Sequence, residues 1–381
     1  MFVVVVGLGV ALLHLYLWKR LVKDTTRTTR VRRAGTVVLG LLLAFALAAL
    51  TLPRVVGVPN SGWFAWPGYL WLAVFFYLLL ILAVLELPRL ALRKWLRAPR
   101  ADQGAPEVDE SRRLFLSRAG AVVAGAASTS IVGAGAVTAL SPPEVKRLAV
   151  PISRLDPGLR GFRIAVVSDI HLGPLLGRAH TERIVRMINE TRPDLVAMVG
   201  DLADGTVAEL GRAAEPLKDL VSPHGTYFVT GNHEYYSGYQ EWVTELERLG
   251  LHYLHNENTK IAGGITLAGV TDVTGKSMGD APDMDRALSG RDSALPTVML
   301  AHQPVQVAGA ASRGVDLQLS GHTHGGQLFP FHYVVRMAQP AVSGLSKVDN
   351  TWLYVTNGAG SWGPPVRVGA PPDITVVELT P

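Results

Sequence analysis

The sequence predicts an α-helical membrane region over residues 1–140, followed by an α/β domain over residues 141–381. Three observations carry this prediction. Long apolar runs nearly free of charge fill the first part. From Phe162 onward, short β-rich runs alternate with helical patterns. Charge divides at the same place: residues 1–140 hold 16 Lys+Arg against 6 Asp+Glu, a net of +10, while residues 141–381 hold 20 against 25, a net of −5. The absence of cysteine excludes a disulfide framework, a thiolate metal site and a cysteine nucleophile. The mildly acidic second part disfavours a nucleic-acid groove, so no nucleic-acid partner is expected.

Spans are expected at about residues 2–18, 35–53, 68–87 and 119–140. The first ends in Tyr16 and Trp18, an aromatic pair suited to a membrane interface. No Lys or Arg precedes it, so it lacks the charged start of a simple signal peptide. Residues 19–33 then carry seven basic side chains and one acid, Asp24. An uncharged turn over residues 58–66 separates the second and third runs, and Arg89, Arg93, Lys94, Arg97 and Arg100 follow the third. The two basic loops should be cytoplasmic and the uncharged turn outside. The cores of these three runs carry no ionisable residue apart from His14, near one end and expected at an interface, so a transporter or proton path has little support.

Residues 100–110 read as a polar linker. The stretch Ser111-Arg112-Arg113-Leu114-Phe115-Leu116 and the Ala/Gly-rich run after it resemble a twin-arginine export signal, placed internally rather than at the amino terminus. The alternative is the basic flank of an ordinary fourth span. Both place residues 141 onward outside the cytoplasm, so the expectation is a multi-pass cell-membrane protein with an extracytoplasmic catalytic domain. Twin-arginine or general membrane-insertion machinery is the expected partner. Small residues at Ala134, Ala136 and Ala139 also permit signal-peptidase cleavage.

In the second part, residues 162–167, 195–199, 226–230, 297–300 and 315–319 read as buried strands, and residues 374–379 as another. Residues 178–190, 207–221 and 239–249 show helical apolar spacing. This alternation predicts strands buried on both faces, with functional residues collecting beyond their carboxyl ends. Five polar stretches follow apolar strands directly: Asp169-Ile170-His171, Gly200-Asp201, Gly231-Asn232-His233-Glu234, Ala301-His302 and Ser320-Gly321-His322-Thr323-His324. An extended His322-x-His324 puts both rings on one side of the chain. A carboxylate at Asp201, after a glycine, has room to bridge two cations. Carboxylates, an amide oxygen from Asn232 and four imidazoles make a mixed oxygen and nitrogen set. Such a set suits Mn, Fe, Zn, Co or Ni better than Ca or Mg. Two metal ions about 4 Å apart can hold a hydroxide and clamp both oxygens of an in-line displacement.

Taken in order, Asp-x-His, Gly-Asp, Gly-Asn-His-Glu, an isolated His and Gly-His-x-His resemble the calcineurin-like metallophosphoesterases, over about residues 145–381. The stretches Ser168–Gly173, Gly321–Gln327 and Gly363-Pro364-Pro365-Val366-Arg367 are most similar to the membrane-anchored or exported branch of that family, which acts on phospholipid-type diesters. The resemblance implies a four-layer αββα sandwich of two mixed sheets. It implies one metal ion held by Asp169, His171, Asp201 and His324, and a second held by Asp201, Asn232, His302 and His322. It also implies that His233 faces the leaving group as general acid, with Glu234 orienting His233 or the local turn. Arg367 is a candidate for substrate contact or for support behind the site.

Some neighbours are given plainer expectations. His180, His224, His252, His255 and His332 match no motif and are expected to be structural or surface residues. Asp204 and Asp272 are expected as loop caps. Tyr235 and Tyr236 either line a cleft or pack. The expected function is hydrolysis of a phosphodiester or pyrophosphate substrate, with membrane lipids as partners because a tethered domain meets headgroups at high effective concentration. Soluble nucleotides as substrates, or a catalytically silent binding module on the same fold, are the alternatives.

Overall fold

In the computed structural model, which describes residues 2–91, 107–261 and 264–381, the chain divides into two units, Met1–Ala136 and Val137–Pro381. The first is built from helices α1 (Phe2–Leu17), α2 (Thr29–Thr51), α3 (Gly62–Ala91) and most of α4 (Glu107–Leu140). Three stretches, α2, α3 and Arg112–Leu140 of α4, are long and apolar enough to cross a membrane. Their most apolar windows are only 11%, 28% and 22% buried, so most of that surface needs an apolar solvent. Among the described residues these three meet the length and apolarity of a span, while the first expected span, residues 2–18, coincides with a shorter helix. Helix α1 has 16 residues, about 24 Å at 1.5 Å per residue, against a hydrocarbon core of about 30 Å. Beyond it, Trp18–Lys23 continues as a π-helix that already carries Lys19, Arg20 and Lys23.

Helices α2 and α3 touch backbone to backbone, because a Cβ on Gly68 would collide with the Phe45 carbonyl and with Ala49. His14 has its partners inside the helical unit. It is buried, its Nε2 accepts from Trp71 Nε1 at 2.9 Å, and its ring stacks on Phe75 at 4.5 Å. Arg93, Lys94, Arg97, Arg100 and residues 100–106 of the expected linker lie outside the described residues, whereas residues 107–110 form the first turn of α4.

The second unit holds strands β1 (Glu144–Pro151), β2 (Phe162–Val167), β3 (Leu195–Val199), β4 (Thr226–Val229), β5 (His252–Tyr253), β6 (Glu257–Ile261), β7 (Ile265–Gly269), β8 (Thr297–Leu300), β9 (Leu317–Ser320), β10 (Gly344–Val348), β11 (Thr351–Val355) and β12 (Asp373–Thr380). They form two six-stranded sheets, in the orders β1-β12-β2-β3-β4-β5 and β10-β11-β9-β8-β7-β6. Strands β2 to β5 run parallel, with β12 antiparallel beside β2. Strands β7, β8, β9 and β11 are parallel, flanked by antiparallel β6 and β10.

Period-two patterning builds the interior. Ile164 and Val166, Leu195, Ala197 and Val199, Ile265 and Leu267, Val298 and Leu300, and Leu317 and Leu319 form one apolar cluster drawn from both sheets. The alternate residues are buried as well. Ala268, Met299 and Ala301 pack with Ala287 and Ala310, the latter on α9 (Val307–Ala311). On the first sheet Ala165, Val167, Val196 and Met198 are buried, as are Ile184 and Ile188 of α5 (Arg178–Glu190), Leu210 of α6 (Val207–Ala214) and Trp242 and Leu246 of α8 (Tyr239–Arg248). Helix, sheet, sheet and helix make four layers. Helix α6 stops short of the predicted residue 221 because Pro216 cannot donate a helical N–H, and Glu215–Asp219 tightens into a 3-10 turn.

Candidate metal centre

Strands β2, β3 and β4 of one sheet and β8 and β9 of the other present their carboxyl ends to a single rim. Asp169 and His171 follow β2, Asp201 follows β3, and Asn232 and His233 open α7 (Asn232–Ser237) after β4. His302 follows β8, and His322 and His324 follow β9. Turning sharply off a strand requires unusual backbone. Asp169, His171, Asp201, His322 and His324 all have positive φ, from 49° to 71°. Non-glycine residues rarely adopt this region, and where they do it is commonly held by surrounding structure at functional sites. Gly200, at φ 89°, allows the close approach that follows, since a Cβ there would stand within 2.7 Å of Gly231 and of His302 Nδ1.

The paired histidines are not extended, which corrects the geometry expected of them. Strand β9 ends at Ser320, both residues are left-handed, and a 3-10 turn begins at His324. The two rings therefore serve different groups instead of one side of a strand. His324 Nε2 lies 3.0 Å from His171 Nε2 and 3.3 Å from Asp169 Oδ1. His322 packs its ring 5.1 Å from that of His302. Ligand atoms of Asp169, His171 and His324 lie within 4.8 Å of one another, as do those of Asp201, His302 and His322. Asn232 Oδ1 stands 3.2 Å from His302 Nε2, beside the second group. Asp201 Oδ2 sits between them, 3.1 Å from His302 Nε2 and 3.9 Å from His171 Nε2.

Backbone and neighbouring side chains fix the tautomers. His302 Nδ1 donates to the Val199 carbonyl at 2.7 Å, leaving Nε2 toward Asp201. His171 Nδ1 donates to Asp204 Oδ1 at 2.9 Å, leaving Nε2 toward Asp169 and Asp201. Burial alone would raise the Asp201 carboxyl, but His302 and His233 beside it hold it well below the usual range. Burial would lower His302, yet Asp201 beside it raises it above an ordinary imidazole. Burial and then the Arg367 charge hold His324 well below the ordinary imidazole range. Buried carboxylates, imidazoles and an amide oxygen converging on two adjacent points are a donor set that fits two transition-metal ions.

The residues read as support divide clearly. Glu234 is buried and accepts from Gly231 N at 2.7 Å, Asp201 N at 2.9 Å and Leu202 N at 2.7 Å, so it fixes the two loops that carry Asn232 and Asp201. Arg367 is 1% exposed and gives its donors to the carbonyls of His324, Asn357 and Gly360. It pins the loop beneath His324 and is not placed to meet a substrate. Tyr235 is buried, its hydroxyl donating to Asp280 at 2.6 Å, while Tyr236 is exposed with its ring 5.6 Å from that of His233. Asp272 caps a 3-10 turn as expected, accepting from Thr274 N.

A family model described as calcineurin-like phosphoesterase matches residues 162–326. A "transmembrane protein with metallophosphoesterase domain" from Bos taurus is 35% identical over 96% of this chain and 86% of its own length. The Danio rerio protein of the same description is 34% identical over the same shares. The chain belongs to the calcineurin-like metallophosphoesterases. An uncharacterized metallophosphoesterase of Helicobacter pylori is 41% identical over 64% of this chain and 65% of that one.

One functional residue of this metallophosphoesterase escaped the sequence reading. Asp204, expected as a loop cap, holds two histidines at once: Oδ1 lies 2.9 Å from His171 Nδ1 and 2.6 Å from His233 Nδ1. Burial would raise its carboxyl, but those two rings keep it well below the ordinary range. Burial in turn would lower His233, which Asp204 and Asp201 instead raise to about 9. The available signal was spacing, since Asp204 lies three residues past Asp201 on a loop leaving the same strand. Asp204→Asn is expected to lower turnover about 10–100-fold, the usual scale for a partner behind a metal ligand. The loss should be larger for an ester with a poor leaving group than for an activated one. Unchanged turnover on both would remove Asp204 from the machinery.

Proposed function

We propose that this metallophosphoesterase hydrolyses phosphodiester or pyrophosphate bonds of lipid-linked substrates at the outer face of a membrane. The observation that carries the chemistry is the division of the ligands into two groups about Asp201, with His233 beside them. Asp169, His171, Asp201 and His324 would hold one metal ion; Asp201, Asn232, His302 and His322 would hold the other. Mn, Fe, Zn, Co and Ni suit this oxygen and nitrogen set. When bound, two such ions polarise the phosphoryl oxygens and lower the pKa of water.

The chain's own groups do the rest. His233 N donates to Asp201 Oδ1 at 2.8 Å, and Asp204 engages His233 Nδ1. Its Nε2 is then the atom that passes a proton to the departing oxygen, and the charge induced by Asp204 keeps that proton in place until it is needed. Trp362 and Tyr236, both exposed and flanking His233, form the lip over which a substrate enters.

Placement supports the lipid class. Strand β1 starts at Glu144, directly after a helix that ends at Leu140 and is apolar enough to cross a bilayer. Such a tether keeps the site at high effective concentration toward headgroups. The basic loops favour a cytoplasmic side opposite this domain. Arg112 and Arg113, exposed on α4, then serve as an export signal of the twin-arginine kind.

The test is turnover of the full chain, loaded with Mn, on lipid phosphodiesters, lipid pyrophosphates and nucleotide diesters. Preference for the lipid esters is the expected result. Preference for nucleotides would overturn the substrate class, and inactivity on all would leave a silent binding module. A reporter active only outside the cytoplasm, fused after Pro381, should be active; a silent reporter would overturn the orientation. If Arg112 and Arg113 act as an export signal, changing both to Lys should abolish that reporter activity.

A further inference from the structure

Residues 327–339 lead away from the metal centre between two buried residues, Gln327 and Gln339, and every side chain between them is exposed or half-buried. The excursion is pinned at both ends. Gln327 Nε2 donates to the carbonyls of Trp362 at 2.9 Å and Pro364 at 3.0 Å, and Leu328 pairs with Val368. At the far end buried Gln339 accepts from Val305 N at 2.9 Å, and Thr323 Oγ1 donates to the Val342 carbonyl at 2.6 Å. The short helix His332–Val335 packs its backbone against Gly326, two residues after His324, closely enough that a Cβ there would strike His332 Cα at 2.5 Å.

What this braced segment displays is apolar. The helix has no buried residue. Phe331, Tyr333, Val334 and Met337 are all exposed, Met337 to 86% and Tyr333 to 60%. Trp362, 55% exposed, lies next to the Gln327 anchor. Between Asp316 and Asp349 the sequence has no acidic residue, whereas Arg336 and Lys347 are basic, in a half of the chain whose net charge is −5. Aromatic and aliphatic side chains with a few cations and no anions match a bilayer interface, where rings sit at headgroup depth and cations meet lipid phosphates. Fixing the backbone beforehand removes most of the ordering cost of such docking.

We propose that residues 327–339 dock on the lipid surface beside the metal centre and hold the catalytic rim against the headgroups. The occupant is a bilayer because the domain is joined to an apolar membrane-crossing helix at Leu140 and cannot diffuse away from one. This inference rests on the lipid-facing reading given above for the site.

Since the chain contains no cysteine, one engineered thiol can be labelled without background. The full chain is placed in nanodiscs of phosphatidylcholine and phosphatidylglycerol in equal parts. An environment-sensitive fluorophore is attached to Met337→Cys or, as a control, to Glu247→Cys, an exposed position on α8. Nitroxide-bearing lipid should quench the label at position 337 and spare that at 247, while aqueous iodide should do the reverse. Access at 337 to iodide but not to lipid nitroxide, or to neither, overturns the docking; the second result would mean that protein covers the segment.

A kinetic arm separates docking from substrate class. Phe331→Ser with Met337→Ser should leave turnover of water-soluble bis(4-nitrophenyl) phosphate unchanged, which also reports correct folding. It should lower turnover of a phosphodiester lipid in the same nanodisc at least about tenfold, a floor that partial burial of two large apolar side chains already reaches. Equal loss on both esters overturns a docking role for these two residues. If the unaltered chain cleaves the soluble ester and no lipid ester, the substrate reading fails, and quenching alone decides the docking.

Discussion

Asp201→Asn is expected to leave the protein with well below two metal ions per chain and to reduce turnover roughly 10³-fold or more. Asn matches Asp in shape and tolerates the left-handed backbone that Asp201 adopts at φ 54°. Glu234 also still accepts from the residue 201 N–H. The loss is therefore electrostatic. Two unit charges 4 Å apart at an effective dielectric near 20 attract by about 4 kcal/mol, which corresponds to about 10³ in a rate or binding constant. The Asp201 carboxylate serves both ligand groups, so each loses at least that much. Elemental analysis alongside turnover is the measurement. Two ions per chain with normal turnover would show that Asp201 does not bridge.

His233→Asn should act differently, by sparing the metals. The residue 233 N–H still donates to Asp201, but an amide has no titratable proton and cannot mimic the ring that faces Asp204. General acid catalysis is typically worth about 10²–10⁴ in rate, roughly 3–5 kcal/mol of barrier. Turnover should fall by that order on an alkyl diester, whose leaving group needs a proton, and by much less on an activated aryl ester. Because ligand atoms of His171, Asp201 and His233 also lie within 4.8 Å of one another, the competing role is that of a third metal ligand. Metal content decides between them. If it collapses together with activity, His233 is a ligand and not the acid.

The layered α/β fold was legible because its central strands are short, apolar and placed before polar turns. Residues 162–167, 195–199 and 297–300 fall where β2, β3 and β8 lie. Strand β1 was not legible, since most of its side chains are exposed or half-buried and only pairing with β12 makes it a strand. The identity of the clustered residues was readable from the five motifs, but their local geometry was not. Period-two alternation holds only while a strand lasts, and the left-handed turn at His322 sends the two imidazoles to different groups. Asp204 and Arg367 illustrate the remaining gap. Both are single charged residues on loops, and their partners, His171 and His233 for one and the carbonyls around His324 for the other, are fixed by folding across many intervening residues.

The two ligand groups draw on both sheets, and this makes the apolar interior a distance gauge. His302 leaves the end of β8 in one sheet and reaches across to donate to Val199, the last residue of β3 in the other. Asp201 stands two residues beyond that same carbonyl. The separation between these ligands is thus set by the thickness of the seam formed by Val199, Val229, Leu300 and Leu319, and close-packed interiors transmit small changes of volume. Two cations taken up by these groups would owe their spacing less to the residues that touch them than to the methyl groups packed beneath.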